Sequence, residues 1–183
     1  MHIKWFTYLF IYIYVIDKIF CEKYIIFKTL QCSPKSQLIR NLECSNDDTS
    51  LSFSADTVKE IAKYFGLSNI NLYISGNKNV MQLKGLRTEF CETRSERKRP
   101  NLMSLVNVGI YNSINNYPQR CPLLRNTTYY LKRMQFDAKH VPRYLPEYNF
   151  TYAGKFYMNS MLTAEVQVTG SICNIGNDCR GIK

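Results

Sequence analysis

Residues Leu162–Ile172, LTAEVQVTGSI, give the clearest indication of the fold. Apolar and polar side chains alternate along this segment, so its apolar members would share one face. That face is formed by Leu162, Ala164, Val166, Val168 and Ile172. A period of two is typical of a β-strand with one side against a core and the other in water. The segment therefore predicts a strand of a two-faced sheet.

The segment before it repeats the pattern. Its apolar members alternate in the same way, with Gly154 as the only gap, and they are Phe150, Tyr152, Phe156 and Met158. Two amphipathic strands cannot bury their apolar faces by themselves, so a second sheet is needed. We therefore predict an all-β fold, either a β-sandwich or a flattened barrel.

Shorter segments earlier in the chain fit the same architecture. Tyr24–Leu30 and Leu38–Cys44 are each predicted to form a short strand. Ile70–Ile74 and Val80–Phe90 are predicted to pair as a hairpin, because the Ser-Gly-Asn sequence between them suits a tight turn.

Two segments show helical features. Asp56–Phe65 fits either a helix capped by Asp56 or a strand with a bulge, and the sequence leaves both open. Pro100 stands at a helix start, and apolar residues follow it at helical spacing, namely Leu102, Leu105, Val106 and Ile110. One short helix is therefore predicted between Cys91 and Cys121.

The first residues have the features of a signal peptide, which we assign to Met1–Cys21. Lys4 gives a positive charge, and Trp5–Ile16 is an apolar run of about a dozen residues. A membrane-spanning helix needs about 20 apolar residues, so this run is short for a permanent anchor, although a retained anchor is the alternative. Cleavage after Cys21 would leave residues 22–183 as one secreted, extracellular domain without a permanent membrane span.

The cysteines indicate disulfide bonds. Removal of Cys21 from the seven cysteines leaves Cys32, Cys44, Cys91, Cys121, Cys173 and Cys179. An even number in an oxidising compartment favours disulfides, and spacing alone does not decide the pairing. A Cys91–Cys121 bridge would enclose the predicted helix, and we predict that pair while leaving the other four open. The sequence has no Cys-x-x-Cys motif, so we predict no metal site and no cofactor.

The chain is strongly basic, with 24 Lys and Arg against 14 Asp and Glu, a net charge of +10. A basic run between Cys91 and Cys121 comprises Arg94, Arg97, Lys98 and Arg99. In a secreted protein such a run is either a solvated loop or a contact for anionic lipids or acidic proteins, and not a nucleic-acid site.

Two further sets of residues bear on function. Asn126 and Asn149 each begin an Asn-x-Thr sequon, so a glycoprotein is predicted. After removal of the leader, His140 is the only histidine, and one histidine supplies only half of a nucleophile–base pair. No nucleophile-elbow motif is present. The sequence therefore predicts a protein that is not an enzyme.

The C-terminal half contains a series of short motifs in a fixed order. They are a Phe-Cys, a predicted helix, the pattern CPLxxxxTYYLKxxxFD, a xxPxYLP and a final VTGS. The residues of these motifs are Cys91, Cys121, Pro122, Leu123, Thr128, Tyr129, Tyr130, Leu131, Lys132, Phe136, Asp137, Pro142, Tyr144, Leu145, Pro146 and Val168–Ser171. In this series the chain resembles the insect chemosensory CheB-type proteins. The chain departs from the pattern at its C-terminus, where Cys173 and Cys179 have no clear counterpart in the family.

The resemblance implies a fold and a function. CheB-type proteins belong to a broad insect family of secreted domains of unassigned function, placed with the ML lipid-recognition proteins and the ganglioside-activator protein. It implies an immunoglobulin-like, ML-type β-sandwich whose sheets part to hold a lipid or other hydrophobic ligand, of the hydrocarbon pheromone class. It also implies expression in sensory tissue and a part in the detection of contact pheromones.

We therefore expect a binding protein for a hydrophobic molecule. The candidate cavity residues are Tyr130, Met134, Phe136, Phe150, Tyr152, Phe156, Met158, Leu162, Val166 and Val168. The same alternation would equally fill a solid core, so the sequence does not decide whether a cavity exists. The alternative is a secreted co-factor that docks on a receptor or ion channel through the basic run, without a lipid cavity.

Overall fold

The computed structural model describes residues 23–74, 78–91, 121–136 and 146–175. Within these ranges the regular structure is entirely β, and no described residue is helical. The eight strands are β1 (Lys23–Pro34), β2 (Ile39–Asn46), β3 (Leu51–Thr57), β4 (Tyr64–Ile74), β5 (Lys78–Glu89), β6 (Thr128–Met134), β7 (Tyr148–Met158) and β8 (Met161–Asn174). No helix in the described ranges is long and apolar enough to cross a membrane.

The strands form two antiparallel sheets. One has five strands in the order β1-β8-β7-β4-β5, and the other has three in the order β2-β3-β6. Apolar side chains of both sheets meet between them, with Phe27 and Val166 from the larger sheet packed in one cluster with Leu51 and Met134 from the smaller. The predicted all-β sandwich is therefore confirmed.

The β7–β8 hairpin follows from the sequence around Asn159. Met158 pairs with Met161, so the connection has two residues, Asn159 and Ser160, with φ angles of 48° and 67°. Positive φ at both positions is what a type I′ hairpin turn requires, and asparagine tolerates it well. The Asn159 side chain also accepts the Ala62 backbone N–H at 3.0 Å. The turn is thereby tied to the loop that precedes β4.

The hairpin predicted around residues 75–77 is present, because β4 pairs with β5 along its length. The Asp56–Phe65 segment is a strand end, a turn and a strand start. Ile61 in this turn is fully buried and exchanges backbone hydrogen bonds of 2.9 and 3.0 Å with Leu123. Pairing with a residue distant in sequence therefore satisfies the backbone groups that a helix would have satisfied locally.

Disulfides join the elements at two places. Cys32 in β1 is bonded to Cys44 in β2, which links an edge strand of one sheet to an edge strand of the other. The predicted Cys91–Cys121 bond is also present. Loop-closure entropy assigns roughly 3 kcal/mol to bridges of this span. Cys173 is disulfide-bonded as well.

The β2–β3 turn is organised by Asp47. Its carboxylate accepts the backbone N–H of Thr49 at 2.8 Å and of Ser50 at 2.6 Å, and the Ser50 hydroxyl at 2.8 Å. These bonds, above all the one from the Ser50 hydroxyl, lower the pKa of Asp47 to about 2, because they favour the charged form.

Several sequence predictions lie outside the described residues. They are the signal peptide at residues 1–21 and its cleavage site, the helix between Cys91 and Cys121, the basic run Arg94, Arg97, Lys98 and Arg99, His140, and Cys179. These predictions stay as they were made.

A candidate hydrophobic site between the sheets

A cavity of about 320 Å³ separates the two sheets of the sandwich. Side chains from seven strands line it, and the lining is almost wholly apolar. Ligand pockets commonly have volumes of about 300–1,000 Å³, so this space is at the lower end of the range. A water molecule takes roughly 30 Å³ of liquid volume, and a methylene group is similar in size, so the cavity has room for at least about ten carbon atoms.

Several of the aromatic residues around the cavity are only half-buried. Phe53, Phe136, Phe150 and Phe156 pack against the buried cluster, yet each keeps accessible surface. In a solid core such side chains would be covered, because protein interiors contain few voids larger than a water molecule. Their remaining surface is explained by the cavity that all four line.

Two glycines shape the wall on the larger sheet. A β-carbon at Gly154 would lie 2.6 Å from the Tyr152 hydroxyl, and one at Gly170 would lie 2.5 Å from the Phe150 ring. Gly154 therefore leaves room for the ring of Tyr152 from its own strand, and Gly170 leaves room for the ring of Phe150 from the neighbouring strand. Gly154, the gap in the apolar pattern of β7, is thus filled by the ring of Tyr152.

The cavity is costly for a protein of this size. At about 24 cal/mol for each Å³ of enclosed empty volume, a space of this size forgoes up to roughly 8 kcal/mol of packing, and less where it is open to solvent. The whole free energy of unfolding of a typical domain is about 5–15 kcal/mol. A cavity of this size is therefore not a minor packing defect.

Nine of the ten candidate cavity residues lie on its wall. They are Tyr130, Met134, Phe136, Phe150, Tyr152, Phe156, Met158, Val166 and Val168. Leu162 does not, and its placement from the alternation was wrong. The pairing register shifts between Phe156 and Tyr157, so Leu162 pairs with Tyr157, whose ring stacks on Phe65 at 4.9 Å on the opposite face. The irregularity beside the hairpin turn reverses the alternation there.

Much of the lining was not identified from the sequence. The smaller sheet and the strands β1 and β4 contribute Ile25, Phe27, Ile39, Leu42, Leu51, Phe53, Ala55, Ile70 and Leu72. The alternation of Leu51, Phe53 and Ala55 was a usable signal, since it places them on one face of β3. Ile70 and Leu72 alternate with Asn69 and Asn71 in the same way, whereas the others belong to strands whose apolar residues alternate less regularly.

Polar groups at the cavity are few and mostly paired. Thr57 donates its hydroxyl to the Leu124 carbonyl and accepts the Thr127 N–H at 3.1 Å. Tyr152 shares a hydrogen bond of 2.9 Å with Ser68. Burial of the Tyr152 phenol raises its pKa, so the group is neutral at physiological pH. No charged side chain lines the cavity among the described residues.

The two sequons differ in their surroundings. Asn126 is exposed in the turn before β6, with a φ of 51°. Asn149 lies within β7, where its side-chain oxygen accepts the hydroxyl of Ser171 at 2.7 Å. Ser171 is fully buried. The Asn149 amide is therefore part of the sheet's side-chain network, whereas Asn126 is presented to solvent.

Metal ligands do not cluster in the described part of the chain. No group of three or more His, Cys, Asp or Glu side chains is arranged there to hold a metal ion. The outer-face carboxylate of Glu165 is paired with Lys35 at 3.0 Å, and this bond lowers its pKa. This ion pair lies on the opposite face of the sheet from the cavity.

Residues 68–152 match a family model described as "Protein of unknown function (DUF1091)". The chain is similar to that family over this segment. The match runs from within β4 to within β7 and covers slightly less than half of the chain. It includes both cysteines of the Cys91–Cys121 bond and the Thr128–Lys132 motif. No curated protein matches the chain.

Proposed function

We propose that this protein binds a lipid or another hydrophobic small molecule in the cavity between its two sheets, and that it does so without catalytic chemistry. The apolar cavity of about 320 Å³ carries the proposal. An apolar molecule placed there would replace the packing that the empty space forgoes, and its transfer from water is favourable in itself.

The proposal includes secretion and a role in chemosensory detection. The two described disulfides are consistent with an oxidising compartment, where such bonds persist. The resemblance to CheB-type proteins supports a place in contact-pheromone detection. In that setting the protein would carry or present a ligand to a sensory receptor.

The docking alternative depends on residues outside the described ranges. It requires Arg94, Arg97, Lys98 and Arg99 to form a basic contact surface for a receptor or ion channel. Neutralising the four together would weaken such docking and its dependence on salt, while hydrophobic uptake by the cavity would be unchanged.

Ligand uptake can be tested by thermal unfolding of the oxidised protein after secretory expression. Decane and triethylene glycol form a matched pair, since they have similar size but opposite polarity. A bound ligand at a hundred times its Kd stabilises the folded state by about 2.7 kcal/mol. For a chain of this length that corresponds to a rise in Tm of roughly 5–10 °C.

The proposal predicts this rise with decane and no rise with triethylene glycol. Equal Tm values with decane, with longer alkanes and with alcohols, all compared with the protein alone, would refute it. The comparison requires an oxidised sample. Mass analysis of the intact protein verifies that the disulfides have formed.

A further inference from the structure

One hydroxyl group of the described cavity wall, that of Tyr152, is paired with a hydroxyl outside the lining, that of Ser68. Tyr152 in β7 and Ser68 in β4 lie 2.9 Å apart, oxygen to oxygen. Ser68 is paired in register with Gly154, so the Tyr152 ring reaches over that glycine to the neighbouring strand. Within the described residues this is the only side-chain hydrogen bond that either hydroxyl makes.

The pair has more donors than it uses. Two hydroxyls carry two hydrogens, and the bond between them uses one. Tyr152 lines the cavity, whereas Ser68 does not. If Ser68 donates to the Tyr152 oxygen, the phenol hydrogen has no partner within the pair and is available to a ligand beside the Tyr152 ring. A buried hydroxyl without a partner for its hydrogen is costly, so an acceptor on the ligand would be favoured there.

The described lining disfavours a charged acceptor. Burial raises the pKa of Tyr152 further above its ordinary value near 10, so the phenol carries no charge at physiological pH. Among the described residues, none that lines the cavity is charged. A carboxylate beside the phenol would therefore be a buried charge without a counter-ion, which is strongly unfavourable.

We propose, on the basis of the proposed function, that the ligand is a neutral aliphatic molecule with an oxygen atom as its acceptor. This oxygen accepts a hydrogen bond from the Tyr152 hydroxyl. Alcohols, ketones, aldehydes and esters with a chain of roughly ten carbons fit the volume and the lining. This class differs from the pure hydrocarbons that the family resemblance implies. A hydrocarbon would fill the space but would leave the phenol hydrogen without an acceptor.

The test compares undecane with 2-undecanone, which differ by a single carbonyl. Their affinities are measured by displacement of a fluorescent hydrophobic probe from the wild-type protein and from Tyr152→Phe. The substitution keeps the ring and removes the hydroxyl. It should weaken 2-undecanone binding by about 3- to 10-fold, the effect of one hydrogen bond. Undecane binding should not weaken.

Ser68→Ala is the matched control. It removes a hydroxyl from the same pair but leaves the phenol at the cavity wall. The preference for the ketone should therefore survive in this variant. Equal weakening of the ketone in both variants would assign the effect to disturbance of the pair and overturn the inference.

A second measurement needs no variant. The infrared carbonyl stretch of bound 2-undecanone, labelled with ¹³C, should lie at lower wavenumber than in hexane, because a hydrogen bond weakens the C=O bond. A stretch at the hexane position would overturn the inference even if Tyr152→Phe failed to fold.

The outcomes separate this inference from the proposed function. If both probes bind and Tyr152→Phe affects neither, the hydroxyl has no role and hydrophobic binding stands. If neither probe binds to the wild type, the proposed function fails, and the inference fails with it.

Discussion

Enlarging a side chain on the cavity wall tests whether the space between the sheets is empty. Ala55 lies in β3, the central strand of the smaller sheet, lines the cavity and keeps accessible surface. Ala55→Leu adds three carbon atoms on this face. If the space is empty, the added atoms become buried without displacing other side chains.

The expected effect is a gain in stability of the unliganded protein. At about 0.8 kcal/mol for each buried carbon, Ala55→Leu should stabilise the fold by about 2 kcal/mol. For a chain of this length the Tm should rise by roughly 4–8 °C. The same atoms occupy volume that a ligand needs, so affinity for a ten-carbon ligand should fall by roughly 10- to 50-fold.

Urea denaturation and probe displacement provide the two readouts, and Ala153→Leu is the control. Ala153 is an exposed residue of β7 outside the cavity lining. The same substitution there should leave both stability and ligand affinity nearly unchanged. Destabilisation by Ala55→Leu of about 1–3 kcal/mol, the usual cost of overpacking, would show that the space is filled in solution and would refute the reasoning.

Three further predictions concern the framework. Hydrogen bonds, chiefly the one from the Ser50 hydroxyl, lower the pKa of Asp47 from 3.8 to about 2. The stability that the charged carboxylate contributes is therefore present above pH 3.8, the pKa in the unfolded chain, and is lost as the pH falls towards 2. Asp47→Ala should therefore lower stability at neutral pH and flatten its pH dependence between these values, and urea titrations that superimpose on wild type would contradict this. In protein from a secretory host, peptide mass analysis should find a glycan on Asn126 and none on Asn149, whose amide is engaged within the sheet; full occupancy at Asn149 would show that this network opens. Gly170→Ala should destabilise the fold by about 1–3 kcal/mol, because a β-carbon there would overlap a backbone carbonyl of the adjacent strand, and an unchanged urea midpoint would refute the close approach.

The regular strands were predictable because each has one face against the core and one in water. Val166 and Val168 in β8, and Phe150 and Tyr152 in β7, point into the cavity as the period of two predicted. The β4–β5 hairpin was predictable because the Ser-Gly-Asn sequence between its strands suits a tight turn. Leu162 was placed on the wrong face of β8. The register shift between Phe156 and Tyr157 turns Leu162 to the outer face, and the apolar alternation does not reveal this shift.

Other features depend on partners that are distant in sequence. Residues 56–65 have helical character locally, yet Ile61 pairs with Leu123 across the fold. The Cys32–Cys44 bond depends on β1 and β2 being edge strands of facing sheets. Neither pairing is visible in spacing or periodicity.

The existence of the cavity could not be predicted from the sequence. The alternation that fills a solid core is the same as the one that lines a hollow one. The difference arises from where the large rings lie, and Gly154 and Gly170 permit the rings of Tyr152 and Phe150 to lie against the sheet. A glycine in a strand signals that something approaches closely, but it does not identify the approaching group.

Native mass spectrometry can show whether the cavity holds a hydrophobic molecule. The protein would be secreted from a eukaryotic host, purified without detergent and measured intact, before and after denaturing extraction into organic solvent. We expect an added mass of one hydrophobic molecule per chain, lost on extraction, or its appearance when a ten-carbon alcohol or ketone is supplied. A folded, oxidised protein that has the mass of the bare chain and takes up none of these compounds would rule out the proposed ligand site.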